Sequence, residues 1–418
     1  MKKTILGGFV MLSLACTVSA QNNKILFDAT KAETAGNADW VIDADVHDLG
    51  YGTGPAIVGG GNESDPQNQP TPAQSTVTST TLETYWEGAL SAWGIDCVKY
   101  GYEVETLPVF DSITYGNKTH PYDLSNYHMF VIDEPNIKFT TKEKTALMNF
   151  VKNGGSLFMI SDHCVSDRNN DGWDSPMIWR DFLKNNPVQN NPFGIIFDSA
   201  NFSQTTTNVS PVKSDSILTG PYGTGTEMMW SNGTSMTLYP HINKTAMADV
   251  FMTGAKNTDS VSVMFAHAHY GKGKVAAEGD SSPPDDGTGD PNDALYNGWT
   301  ADASGNHQII IMNATIWLME GGTVTSVDNT SVTPTKFEIY PNPMFGTGRI
   351  KYVLDEAGQV SINMYDVTGK MVKNIFSGEA AQGLQIIDFN SSDMPSGVYF
   401  CRLESDHLTQ TQKVIITK

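Results

Sequence analysis

Short apolar runs punctuate the first three hundred residues. KILFDA (24–29), YHMFVID (127–133), GGSLFMI (154–160), the stretch from Ser260 to His267 and KVAAE (274–278) are close to continuously hydrophobic. Strands covered on both faces read this way, whereas half-exposed strands alternate. Between the runs the period changes. LETYWEGALSAW (82–93) sets Leu82, Trp86, Ala89, Leu90 and Trp93 on one broad face, which predicts an amphipathic helix. Glu103 to Leu107 reads as the next strand. Thr140 or Thr141 can cap a helix running to Asn153, with Glu143 in its first turn and Gly154-Gly155 ending it. A last helix is expected over Gln308 to Met319. Apolar strands separated by helices imply a doubly wound α/β unit over 22–322, built on a mostly parallel sheet with long insertions.

The pattern breaks at TVTSVDNTSVTPTK (323–336), which has no helical period and reads as a linker. Beyond it, 337–418 is strand and turn throughout: FEIYPNP, RIKYVL, VSINMYDVTG, MVKNIF, LQIIDFN, GVYFCRLES and TQKVIITK. Short β-rich runs at this spacing predict an all-β sandwich. Tyr340-Pro341-Asn342-Pro343, Met364-Tyr365-Asp366-Val367-Thr368-Gly369-Lys370, Met394-Pro395-Ser396-Gly397-Val398-Tyr399-Phe400 and the final Lys-Val-Ile-Ile occur in that order. They resemble the C-terminal sorting domain of the type IX secretion system of Bacteroidetes. The resemblance implies handling by that machinery, and then release or attachment at the outer-membrane surface.

The other end of the chain agrees with export. Lys2 and Lys3 precede an apolar stretch from Ile5 to Ala15, and Val18-Ser19-Ala20 offers small residues for cleavage before Gln21. Residues 1–20 therefore read as a secretory signal peptide, too short to span a bilayer. Leu14-Ala15-Cys16 also loosely resembles a lipobox, which would make Cys16 a lipid anchor. No later run is long and apolar enough to predict a membrane span.

A second resemblance covers most of 22–322. A strand followed by Asp133-Glu134-Pro135, a helix ending FVKNGG (150–155), a strand and a polar elbow are similar to the class I glutamine amidotransferase-like superfamily. Tyr270 to Val275 and Gly279-Asp280-Ser281-Ser282-Pro283 are similar to its non-amidotransferase branches. The resemblance implies a flavodoxin-like sheet. The chain departs from it at the elbow, which reads Ile160-Ser161-Asp162-His163-Cys164. Cys164 stands past the turn, no Gly-x-Cys-x-Gly surrounds it, and no His-x-Glu pair follows late in the unit. Nucleophilic glutamine hydrolysis is not expected.

Charge narrows the partners. The chain has 46 Asp and Glu against 26 Lys and Arg, a formal charge of −20. Such a field repels nucleic acid and anionic membranes. It suits divalent cations, and equally serves solubility alone. After cleavage an odd set of cysteines remains, Cys97, Cys164 and Cys401, which excludes a full disulfide framework.

In open parallel sheets ligands bind beyond the carboxyl ends of the strands. Four such ends carry polar groups here. Thr34, Asn37, Asp39 and Trp40 follow the first strand, and Asp133 and Glu134 follow YHMFVI. Ser161, Asp162 and His163 follow LFMI, and Asp280, Ser281, Ser282, Asp285 and Asp286 follow VAAE. If the strands are parallel neighbours, these groups share one crevice. Asp162 beside His163 suits acid and base work on a water, with Asp280 and Ser281 as further catalytic candidates and a cation as an aid at Asp162, His163 and Asp280, in a secreted hydrolase acting on an extracellular polymer or its fragments. Ser161 is a weaker nucleophile candidate without a Gly-x-Ser-x-Gly setting. The plainer alternative is that Asp162, His163, Asp280 and Ser281 cap and orient loops. Asn37, Trp40, Glu134 and Trp173 are candidate ligand contacts; the indoles of Trp40, Trp173 and Trp299 suit sugar stacking or rim packing.

Asp167, Asn169, Asp171, Gly172 and Asp174 follow D-x-N-x-D-G-x-D, the first half of a calcium loop, and Ile178 stands where the closing Glu belongs. Asp174 would have to substitute as ligand. A hydrogen-bonded Asx turn is the alternative. The rival to a hydrolase is then a calcium-dependent surface protein that binds a glycan without turnover. His267 and His269 share a strand face, but no third ligand is visible at fixed spacing, which favours a structural role.

Overall fold

The computed structural model describes residues 23–35, 38–43, 74–78, 80–82, 85–86, 88–109, 111–212, 215–288, 297–302, 306–320, 337–340, 344–345, 347–354, 357–381, 383–405 and 409–417. The signal peptide, the linker and Asn37 lie outside these residues.

The main sheet is assembled from nine strands. They are β1 (Lys24–Asp28), β2 (Glu103–Leu107), β3 (Met129–Ile132), β4 (Ser156–Ile160), β5 (Ile195–Phe197), β6 (Met236–Leu238), β7 (Met247–Phe251), β8 (Val263–Tyr270) and β9 (Gly273–Glu278). Their order is β2-β1-β3-β4-β9-β8-β6-β5, with β7 also pairing β8. From β2 to β9 every neighbour is parallel. From β9 onward the pairings are antiparallel, so the sheet is mixed rather than parallel throughout. The tight turn at Gly271, with φ +60°, joins β8 to β9.

Successive residues of each parallel strand enter different cores. Ile25 and Phe27 of β1 and Phe158 and Ile160 of β4 pack with Trp93 and Ile95 of α1 (Ser91–Tyr100). Leu26, Leu157 and Met159 pack instead with Leu147 and Phe150 of α2 (Thr141–Lys152) and Trp179 and Phe182 of α3 (Ser175–Lys184). Burial on both faces is why these strands have no alternation. Each large side chain so buried contributes about 1.5–3 kcal/mol. A four-residue helix, α4 (Gly298–Ala301), precedes α5 (Asn306–Met319), which lies against the first core. Twelve of α5's fourteen residues are buried, which explains its apolar circumference.

Two helix starts contrast. α2 begins at a local capping box: Glu143 N donates to Thr140 Oγ1, and Thr140 N donates to Glu143 Oε2. The expected helix over 82–93 is displaced. Leu82 is 74% exposed, and α1 runs from Ser91 to Tyr100, where Gly101 at φ +109° ends it. Leu90 at its N-cap offers no side chain; Asp286 caps it instead, accepting from Ala92 N (2.6 Å) and Ser91 Oγ (2.8 Å).

The C-terminal unit is a β-sandwich. One sheet pairs Phe337–Tyr340 and Gly383–Asn390 with the central Thr347–Leu354, all antiparallel. The other has five strands, with Gly358–Asp366 between Met371–Ala380 and Gly397–Ser405. Phe337, Ile350, Tyr352, Ile362, Met364, Leu403 and Val414 fill the space between them. The DVTGK motif makes a turn in which Asp366 Oδ1 accepts from Thr368 N and Lys370 N, and Gly369 takes φ +83°. Cys97, Cys164 and Cys401 are free thiols. Among the described residues no helix is long and apolar enough to cross a membrane.

Candidate functional site

Register sets the carboxyl ends of β3, β4 and β9 side by side: Ile132 lies opposite Met159, and Ile160 opposite Glu278. β1 adjoins β3 on the other side. The loops that leave these ends meet. The loop after β1 is held down by Asn136 N and Ile137 N, which both donate to Lys31 O, and by the buried Lys31–Glu143 ion pair at 2.6 Å. It delivers Trp40, whose indole Nε1 donates to Glu134 Oε2 (2.9 Å).

Glu134 is the hub. Its carboxylate is fully buried and takes three donors: Trp40 Nε1, Ser281 Oγ at 3.0 Å, and Arg168 Nε at 2.9 Å. Its backbone sits at φ +42°, a conformation that costs a non-glycine residue about 1–3 kcal/mol and persists only where surroundings enforce it. Arg168 reaches across to a second acid, with Nη2 2.8 Å from Asp162 Oδ2. The same Asp162 oxygen lies 2.9 Å from His163 Nδ1, out of line for a good hydrogen bond. His163 keeps 14% of its side chain exposed, against 4% for Asp162.

Two further acids face this network without adequate donors. Neither oxygen of Asp133 has a hydrogen-bond partner, nor has either oxygen of Glu278, which the indole of Trp230 eases electrostatically. Burial pushes the Asp133 carboxyl well above the usual carboxylate range, and Glu134, Glu278 and Asp162 push it further. Burial raises Glu278 likewise, with Asp280 adding to it. Burial and Asp162 raise Glu134, while Arg168 opposes them. The cluster thus combines a cation-bridged carboxylate pair, an imidazole at its partly exposed edge and buried carboxyls that favour holding a proton.

The other sequence candidates divide. Ser281 belongs to the network through Glu134. Asp280 is raised by burial and by Asp162, so it lies near the crevice, but its oxygens are committed to Ser231 N (2.6 Å) and Ser282 N (2.9 Å). It holds loops together. Ser161 is fully buried, with Oγ 3.3 Å from Ser175 Oγ and from Asp162 O, and no base in line to activate it. Trp40 at 1% exposure and Trp299 at 3% cannot stack on a ligand; they pack. Trp173 is half-buried with Lys138 Nζ 3.9 Å over its ring. His307 is structural: Nδ1 lies 2.8 Å from Gly298 O, and Nε2 accepts from Met229 N.

In the proposed calcium loop, Asp167 accepts from Asp171 N (3.0 Å) and Gly172 N (2.7 Å), and Asp171 Oδ1 from Trp173 N (2.9 Å). Asn169 Nδ2 donates to Asn136 O, tying this loop to the one after β3. Asp174, the substitute ligand, carries a second duty. It is the N-cap of α3, accepting from Met177 N and, on the other oxygen, from Val165 N.

Sequence reasoning passed over Arg168, Glu278 and Trp230. Arg168 was the one signal available, a lone cation inside SDHCVSDRNNDGWDSP.

Residues 338–417 match the family model described as "Secretion system C-terminal sorting domain". The protein is therefore a client of type IX secretion, delivered to the cell surface or the extracellular space. No curated protein matches the chain. Among solved structures, the mmIFT52 N-terminal domain is similar at 13% identity with a TM-score of 0.41, over 72% of this chain and 100% of that one. A CARDB domain of a Pyrococcus furiosus protein, solved in complex with di-metal ions, is similar at 14% identity and a TM-score of 0.14, over 22% of this chain and 100% of that one.

Proposed function

We propose that the α/β unit is a secreted hydrolase-like protein acting on an extracellular polymer or its fragments through Asp162 and His163. The observation that supports it is the network in which Arg168 bridges Asp162 and Glu134 beside His163 at the ends of the parallel strands. In this reading Asp162 orients the imidazole, His163 takes a proton from water, and a buried carboxyl such as Glu278 returns one to the leaving group. Among the described residues no three acids or imidazoles of the crevice converge on one point, which favours acid–base over metal-assisted chemistry. The unit is further read as a non-amidotransferase branch of the class I glutamine amidotransferase-like fold. Support comes from the parallel order β2-β1-β3-β4-β9 and the polar elbow after β4.

The test is turnover of a panel of polysaccharides, esters and peptides by the mature protein, its Asp162→Asn and His163→Ala variants, and an EDTA-treated sample. The reading expects at least a 100-fold loss in both variants, the range of one acid–base group, with melting preserved in His163→Ala. Activity lost with EDTA would replace the acid–base form by a metal-assisted one. Saturable glycan binding with no product across the panel would sink the hydrolase. It would favour the second reading, a calcium-dependent surface binding protein, which the loop at Asp167 to Gly172 supports.

A further inference from the structure

Away from the crevice, a second polar cluster is sealed inside the α/β unit. His267 lies in the middle of β8, opposite Ala276, two residues short of Glu278 and so roughly 7 Å from the strand end. On its other side runs β7, where a register shift between Ala248 and Val250 makes Asp249 an extra, bulged residue. Bulges of this kind re-aim a side chain. The Asp249 carboxylate meets His267 Nδ1 at 2.9 and 3.0 Å. A third group comes from elsewhere in the chain. Asp215 is pinned through Oδ1, which accepts from Ile217 N (2.9 Å) and Leu218 N (3.2 Å). Its Oδ2 is buried with no hydrogen-bond partner. One ligand atom from each of Asp215, Asp249 and His267 lies within 4.8 Å of the others, and the residues are 4%, 0% and 8% exposed.

We propose that Asp215, Asp249 and His267 form a binding site for one divalent transition-metal cation. Two buried carboxylates face each other with a single imidazole N–H to share, an arrangement that costs free energy unless a proton or a metal cation is held between them. The Lys274 ammonium, which acts on His267, is committed elsewhere, since Nζ donates to Trp317 O at 2.6 Å and sits over the Trp317 ring. One imidazole and two carboxylates select zinc- or manganese-like ions over calcium and magnesium, which take all-oxygen sets. The shell is formed as well. Trp317 packs edge-on to the His267 ring, with centroids 4.9 Å apart, and fixes its orientation. Bound metal would tie β7, β8 and the Asp215 loop into one piece, and three protein ligands leave a position for water.

The experiment uses the mature full chain, stripped with EDTA and dialysed, then titrated with Zn2+ and with Mn2+. Bound metal is counted by mass spectrometry and melting is recorded. Wild type should bind one equivalent at this site and melt several degrees higher with metal. Asp215→Asn is the decisive variant, because its amide oxygen keeps the bonds to Ile217 and Leu218 while its NH2 supplies Asp249 with a donor. It should melt at or above wild type in EDTA, and lose one equivalent of bound metal together with the metal-induced rise. His267→Gln should lose the same equivalent. Equal uptake by wild type and Asp215→Asn, or no uptake by wild type of either ion, would overturn the proposal.

Discussion

Replacing Glu134 by Gln tests the hub of the crevice with almost no change of shape. Oε1 accepts from Arg168 Nε, and Oε2 from Trp40 Nε1 and Ser281 Oγ. Neither the guanidinium nor the indole can accept, so either orientation of the amide points its NH2 at an N–H. If the amide faces Arg168, a charge-assisted bond of about 1.5–3 kcal/mol is lost; if it faces Trp40, a buried donor is orphaned at about 1–3 kcal/mol. Glu134 is fully buried, so water does not repair the gap. The expected loss is about 2 kcal/mol, or a fall of about 4 °C for a unit of this size. The readout is selective. All eight tryptophans, from Trp40 to Trp317, lie in the α/β unit and none in the sandwich, so indole fluorescence on heating reports this unit alone. Trp40→Phe, which removes one donor and leaves the acceptor, should cost about 1 kcal/mol through the lost bond and more through the cavity left by the smaller ring. A Glu134→Gln protein melting within about 1 °C of wild type would refute the geometry of the hub.

Thr140→Ala deletes half of the α2 capping box and should lower stability by about 1 kcal/mol in urea titration, with an unchanged slope. Glu278→Gln should stabilise. Burial raises the Glu278 carboxyl well above its unfolded value, so the folded form holds a proton that the unfolded chain releases as pH rises. Wild type therefore loses stability upward from about pH 4.5 and the variant does not; its advantage should be clear at pH 8 and vanish at pH 4, while turnover falls. His128 slopes the other way. Burial, chiefly, and Lys274 hold it at about 4 in the fold, so its contribution is complete above pH 6.5 and is lost as pH falls toward 4. His128→Gln should flatten the acid limb by at most about 3 kcal/mol, measured as a difference from wild type across that window.

What was legible in the sequence was whatever is settled locally. β4 runs over Ser156–Ile160 as its apolar run indicates, because burial on both faces leaves nothing polar inside it. α2 starts one residue after Thr140 because its cap is three residues from its partner. What was not legible is settled at a distance. α1 begins at Ser91 because of Asp286, and no window around 82–93 contains that carboxylate. The antiparallel side of the sheet also escaped. β5 and β6 are three residues each, too short to carry a period, and are fixed by pairing with one another and with β8. Trp40 stands in a polar stretch, yet its ring is buried, because the loop after β1 is drawn down by Lys31 and Glu143.

The candidate site shows the same division, and it indicates where functional weight belongs. Counting oxygen ligands in SDHCVSDRNNDGWDSP drew attention to Asp167, Asp171 and Asp174, yet these acids mostly close turns and cap α3. A structural duty accounts for the hydrogen bonds these carboxylates make. It also explains Asp280, and most of Glu134. It does not explain Asp133 and Glu278, which are buried at the ends of β3 and β9, the two strands that flank β4, and lack adequate donors. Apolar residues at both positions would make the unit more stable. Chains keep such costs chiefly where a site uses them. The under-satisfied acids, more than the paired ones, are therefore what a reaction or a ligand at this crevice has to account for. Of the residues around them, His163 and Arg168, with 14% and 31% of their side chains exposed, are the ones that solvent reaches.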